Sequence, residues 1–170
     1  ATGKGPQKHG IADFIAGSDR RPLYNSNGWL ARPIWDILSE QGYSVGVINW
    51  LVSWPAQPVN GYNVSDRILY RPEDGFDKVE RVTFPRELDD ELAPHVRAIS
   101  DVPKDELAPM LNGDLWRSDP SPALEDAVTV LRDLYGNDET VRSTATYLLE
   151  TREQPDFLAV YLNGVDVASH

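Results

Sequence analysis

Two side chains near the C-terminus, Asp166 and His170, stand four residues apart. At that spacing both fall on one face of a helical turn. A carboxylate oxygen and an imidazole nitrogen are good ligands for zinc or a similar divalent ion. The pair follows the apolar run from Phe157 to Leu162, which reads as a buried strand with Gly164 turning the chain out of it. In open α/β sheets, ligands bind outside the carboxyl ends of strands. Spacing by itself says little, because 17 Asp and 3 His among 170 residues give roughly 0.3 such pairs by chance. A helix N-terminal Asp beside a surface His is the competing reading. The chain has no cysteine, which removes disulfides, thiolate metal sites and Cys nucleophiles. Three His cannot complete a closed structural zinc site of the usual kind, so a metal site here recruits carboxylates.

The remaining chemistry-bearing residues point less clearly. His9 follows a Gly/Pro loop and reads as a histidine that hydrogen-bonds a turn before it reads as a ligand or acid/base group. His95 is expected to be solvated. Thr2, Ser53 and Ser65 are conceivable nucleophiles, but none sits in a Gly-x-Ser-x-Gly elbow. Lys4 lies among glycines without completing a phosphate-loop pattern, and no strand precedes it. Trp50 and Trp54 either line a pocket or anchor the core. Trp54 and Asn49 are the expected wall of a substrate pocket.

These residues need elements to hold them. Arg32 to Gln41 reads as a short helix, with Pro33 in its first turn and Ile34, Ile37 and Leu38 on one face. Ser44 to Trp50 is a short β-branched run and reads as a buried strand. Helix, glycine turn and buried strand together make half of an α/β unit. Leu51 to Tyr70 carries Pro55, Pro58 and Asn60-Gly61 and reads as a long ordered loop, the kind of segment that carries function on a rigid scaffold. Residues 71–120 are irregular and acidic, with short helices expected at Pro85–Arg97 and Lys104–Leu111; they read as an insertion or cap, not core sheet. Ser121 is an expected N-cap, with Pro122 at the first helical position. From there two helices are expected, broken at Gly136-Asn137, with Asp138 capping the second.

Composition bounds the whole. At 170 residues, 41% hydrophobic and 25% charged, the chain is long enough for a domain with a real core. No apolar run reaches the ~18 residues of a membrane span, and no signal peptide is visible. A net charge of −11 makes a phosphate-tracking nucleic-acid surface improbable. The missing initiator Met and the end on His170, directly after an apolar-rich segment, suggest an internal piece of a longer chain. Compartment and oligomeric state are left open.

Three stretches resemble a known family. GKGPQKHGIADF is similar to the G-x-x-P-x-x-HGI segment of the alkaline phosphatase superfamily, in its type I phosphodiesterase/nucleotide pyrophosphatase branch. IWDILSEQGYSVGVINWLVSWPAQPVNGYNVSDR resembles the run of bacterial alkaline phosphatase family proteins that contains WPA-x-PV-x-G, the most specific of the three. FLAVYLNGVDVASH resembles the strand-turn-helix that carries D-x-x-x-H to a metal. The stretches occur in the family's order, and residues 71–120 match only loosely.

The resemblance implies an α/β sandwich with a central, mostly parallel sheet, present here only in part and spanning residues 1–170. It implies two divalent metals, usually zinc, a Thr or Ser nucleophile, and a small phosphate ester as substrate. Asp166 and His170 carry over as ligands of one metal. The nucleophile is expected upstream of Ala1, and the other metal's Asp-His pair beyond His170. These residues alone are therefore expected to bind metal weakly and not to catalyse. Two other readings stand beside this one: a non-catalytic binding module of the same fold, and a phosphomutase or sulfatase-like enzyme of the same superfamily.

Overall fold

The computed structural model describes residues 1–11, 24–70, 79–98, 101–111 and 121–168. Its centre is the strand β1, Val45–Trp50, where the valines and Ile48 are fully buried. A strand this apolar on both faces needs cover on both, as in parallel sheets. β1 pairs in parallel with β2, Gly61–Ser65, on one side and with β4, Phe157–Val160, on the other. β3, Thr83–Phe84, adds an antiparallel edge on β2, so the order across the sheet is β3-β2-β1-β4. The fold class is therefore α/β with a mostly parallel sheet, as the sequence implied.

The pleat of β1 divides the core. Val45 and Val47 face a cluster of Trp35, Val59, Trp29 and Leu38. Ile48 faces Tyr62, Val64, Ile68, Leu88, Leu92, Val141 and Leu148. Helix α2, Ile34–Glu40, covers the first face, and the long helix α4, Pro122–Thr151, covers the second. The short helices α1, Pro6–His9, and α3, Leu88–Leu92, flank these layers. A third cluster of Val102, Leu107 and Val128 fastens the 3₁₀ segment Lys104–Met110 to the first half of α4. No helix among the described residues is long and apolar enough to cross a membrane.

Five local expectations are corrected. α2 forms where expected, but Ile34 and Ile37 are 44% and 46% exposed, whereas Trp35 is fully buried. The indole sets the rotation of the helix, packing edge-on against Trp29 and Trp50 at centroid distances of 5.8 and 5.5 Å. The expected loop through Tyr70 contains β2, because the prolines end at Pro58 and the residues beyond them, with Tyr62 and Val64 buried in the core, are free to pair. Within 71–120, Thr83–Phe84 joins the sheet, and Leu88 and Leu92 enter its core. α4 runs unbroken through Gly136. A mid-helix glycine costs about 1 kcal/mol against Ala, and here the bare backbone admits Val102, whose Cγ2 lies 3.2 Å from where a Cβ would stand. β4 is an edge of the described sheet and only Ala159 in it is buried, so it is not the fully buried strand its apolar run suggests.

Candidate functional site

The three parallel strands end at one edge of the sheet, the place where α/β folds build their sites. β1 leaves it through a distorted turn. Ile48 pairs with Val64 and Trp50 with Ser65, so Asn49 is an extra residue, a bulge, at φ 57°. Val52 follows at φ 63°, a conformation that is a genuine outlier for a β-branched residue. Residues held this way cost of order 1–3 kcal/mol each and persist where surrounding structure over-determines them.

Asp66, at the exit of β2, does much of that work. Its carboxylate accepts the Val52 and Trp54 backbone N–H groups, both at 3.1 Å, and its own N–H donates to Ser53 Oγ at 3.1 Å. Burial pushes the Asp66 carboxyl up from its ordinary value, against the Val52 N–H, the Arg67 charge and the Trp54 N–H, which pull it down. Trp54 is thereby fixed at its backbone. Its Nε1 donates to the Glu80 carbonyl at 2.8 Å, and the Arg67 guanidinium lies 5.4 Å from its ring centroid. The same guanidinium lies 4.2 Å from the Tyr70 ring.

Asn49 is 2% exposed. Its Nδ2 donates to the Tyr161 carbonyl at 2.9 Å, and its Oδ1 is buried with no hydrogen-bond partner among the described residues. Beyond β4 the chain passes Tyr161, whose ring is 6.1 Å from that of Trp50, and enters helix α5, Gly164–Ala168. Asp166 lies in the first turn of α5 and is exposed. Burial raises the Tyr161 phenol above its ordinary value, and the nearby Asp166 and Asp138 charges add to the shift. The expected strand-turn-helix delivery of Asp166 to the rim is thus present. His170 lies outside the described residues. Among the described residues, no group of three His, Cys, Asp or Glu is placed to hold a metal. Asp166 is there as an exposed carboxylate in the first turn of α5.

The other singled-out residues serve locally. His9 Nδ1 accepts the Ile11 N–H at 3.1 Å, the turn role expected of it. Thr2 Oγ1 accepts the Lys4 N–H at 3.3 Å. Ser53 and Ser65 are fully buried, so neither presents its hydroxyl to a substrate. His95 departs from the expectation of a solvated side chain. Its Nδ1 is 2.9 Å from Ser143 Oγ, and its ring lies 4.5 Å from Tyr147. Two residues have roles that the sequence did not show. Asp66 fell within the expected Leu51–Tyr70 loop, and Asp138 was expected to cap a second helix. Asp138 does cap a helix, but a distant one: both its carboxylate oxygens lie 3.2 Å from the Gly164 N–H that opens α5.

The sequence profile of one family, type I phosphodiesterase / nucleotide pyrophosphatase, matches residues 1–170. No curated protein and no solved structure matches the chain. A match over the whole chain, joined to a parallel sheet with Asp166 one turn beyond its last strand, makes the protein a member of the type I phosphodiesterase/nucleotide pyrophosphatase family, within the alkaline phosphatase superfamily.

Proposed function

We propose that the protein hydrolyses small phosphate esters, phosphodiesters and nucleotide pyrophosphates foremost, with divalent cations, zinc above all, and a Thr or Ser nucleophile that is not among residues 1–170. The observation that carries this reading is the position of Asp166: an exposed carboxylate in the first turn of α5, just past the carboxyl end of parallel strand β4. Asp166 and His170 are the proposed donors to one cation, and a carboxylate oxygen suits that role. Bound divalent cations lower the pKa of a nucleophile and neutralise charge on a transferring phosphoryl group. The chain's own residues do the positioning. The Asp66 clamp holds the strained β1 exit, and with it Trp54 as the pocket wall. The net charge of −11 disfavours an anionic substrate on its own, so the attraction has to come from bound cations.

The test is turnover by the full-length protein of bis-p-nitrophenyl phosphate, p-nitrophenyl phosphate and p-nitrophenyl sulfate, with zinc and with EDTA. Diester hydrolysis that EDTA abolishes, and that Asp166→Ala lowers by more than about 100-fold, beyond the usual cost of losing an outer-shell partner, supports the reading. Preferential sulfate hydrolysis points to the sulfatase-like alternative. Zinc binding with no turnover of any of the three points to a binding module.

A further inference from the structure

We infer that Asn49 and Asp138 are positioning residues for the arm that carries Asp166, an inference that rests on the proposed role of Asp166 as a cation ligand. The arm is short. It leaves β4 at Val160, passes Tyr161, Leu162 and Asn163, and becomes α5 at Gly164. It is held at both ends by side chains from two different layers of the fold.

The first anchor comes from the sheet. Tyr161 N–H donates to the Ile48 carbonyl at 3.0 Å, extending the β1–β4 ladder one rung past β4. The next position on β1 is Asn49, where the bulge interrupts the regular pairing. The Asn49 side-chain amide reaches the Tyr161 carbonyl in its place, at 2.9 Å. Asparagine suits this position twice over. It tolerates the left-handed backbone at φ 57°, and its amide continues the pairing that the bulge breaks.

The second anchor comes from the helix layer. Asp138 projects from the middle of α4 and presents both carboxylate oxygens to the Gly164 N–H, 26 residues away, at 3.2 Å. The first N–H groups of a helix have no partner within it, and a carboxylate there is favoured by the helix dipole. The approach leaves no room for a side chain, since a Cβ on Gly164 would overlap Asp138 Oδ2. Asp166 is two residues further on. With Tyr161 tied to β1 and Gly164 tied to α4, the backbone that carries Asp166 is fixed by the sheet and the long helix together. Groups hydrogen-bonded directly to a metal ligand typically contribute 10- to 100-fold to metal affinity, and the two anchors, acting through the backbone of the arm, are expected to reach the same range.

The test measures zinc affinity of the full-length protein by competition calorimetry, hydrolysis of bis-p-nitrophenyl phosphate across zinc concentrations, and hydrogen exchange at the Gly164 amide in metal-free protein. Asn49→Gly keeps the left-handed backbone and removes only the amide; Asp138→Asn keeps one acceptor oxygen where Asp138→Ala keeps none. The expected result is zinc affinity weakened about 10- to 100-fold in Asn49→Gly and Asp138→Ala, with kcat recovered at saturating zinc and affinity largely restored in Asp138→Asn. Faster Gly164 exchange with unchanged zinc affinity in both variants would overturn the inference, leaving the anchors as fold contacts only. Asp166→Ala distinguishes loss of positioning from the absence of a ligand role. If that substitution leaves zinc affinity and turnover unchanged, the ligand reading itself fails and the positioning claim falls with it.

Discussion

Asp156 shows how single side chains knit this fold. Its carboxylate accepts both the N–H and the hydroxyl of Ser44, at 2.8 and 2.9 Å, and its own N–H donates to Ser44 Oγ at 2.9 Å. The reciprocal pair joins the starts of β1 and β4. The Ser44 N–H, and then its hydroxyl, hold the Asp156 carboxyl below its ordinary value. A depressed carboxylate contributes stability that is present above the unfolded value of about 3.9 and is lost as the pH falls through the folded one. Wild-type stability is therefore expected to decline on acidification below about pH 4, and Asp156→Asn to flatten part of that decline, read from urea midpoints at stepped pH. At the rim, Asp66→Ala removes the acceptor of two backbone N–H groups and is expected to cost about 2 kcal/mol, as for hydrogen bonds to a charged group. Trp54→Ala is expected to raise KM for a diester substrate, and unchanged KM and kcat would take Trp54 out of the pocket wall. What was legible at this scale was local: His9 closes its own turn, as its loop context implied. Asp66 and Asp138 were not legible, because their partners lie 12 to 14 and 26 residues away and only the fold brings them together.

At the scale of elements, β1 and α2 could be read because each is a compact signal. One is a β-branched run, the other an apolar stretch between Pro33 and Gly42. β2 was hidden behind Asn60-Gly61, which looks like a turn. Gly61 in fact opens the strand at φ 133°, with its α-carbon so close to Val45 that a Cβ would overlap the Val45 carbonyl oxygen. Gly61→Ala is accordingly expected to destabilise by about 3 kcal/mol, at the upper end of ordinary substitutions, and denaturant unfolding measures it. The unbroken α4 teaches the complementary lesson. Gly136 looked like a stop, yet its lack of a side chain serves contact with Val102, and the helix continues because Val141 and Leu148 beyond it are needed over Ile48 and Val64. Tertiary burial outweighs a propensity deficit of about 1 kcal/mol. The burial of Trp35 overrode the Ile34/Ile37 stripe for a similar reason, since one indole between two others hides more apolar surface than either isoleucine.

For the molecule as a whole, a helix–sheet–helix sandwich brings the exits of β1, β2 and β4 to one rim and places Asp66, Asn49 and Asp166 along it. The chain belongs to a family of phosphodiesterase/pyrophosphatase-type hydrolases, and the proposed function places that chemistry at this rim. The proposed hydrolysis of anionic esters by an acidic chain calls for bound cations, so zinc is expected to raise the melting temperature of the full-length protein, and Asp166→Ala to abolish the rise, because a ligand that binds only the folded state stabilises by mass action. The most direct measurement is anomalous diffraction at the zinc edge from crystals of the full-length protein grown with zinc. A peak is expected about 2.0–2.2 Å from an Asp166 carboxylate oxygen, with His170 as a second donor. Zinc bound elsewhere, with Asp166 turned toward solvent, would contradict it.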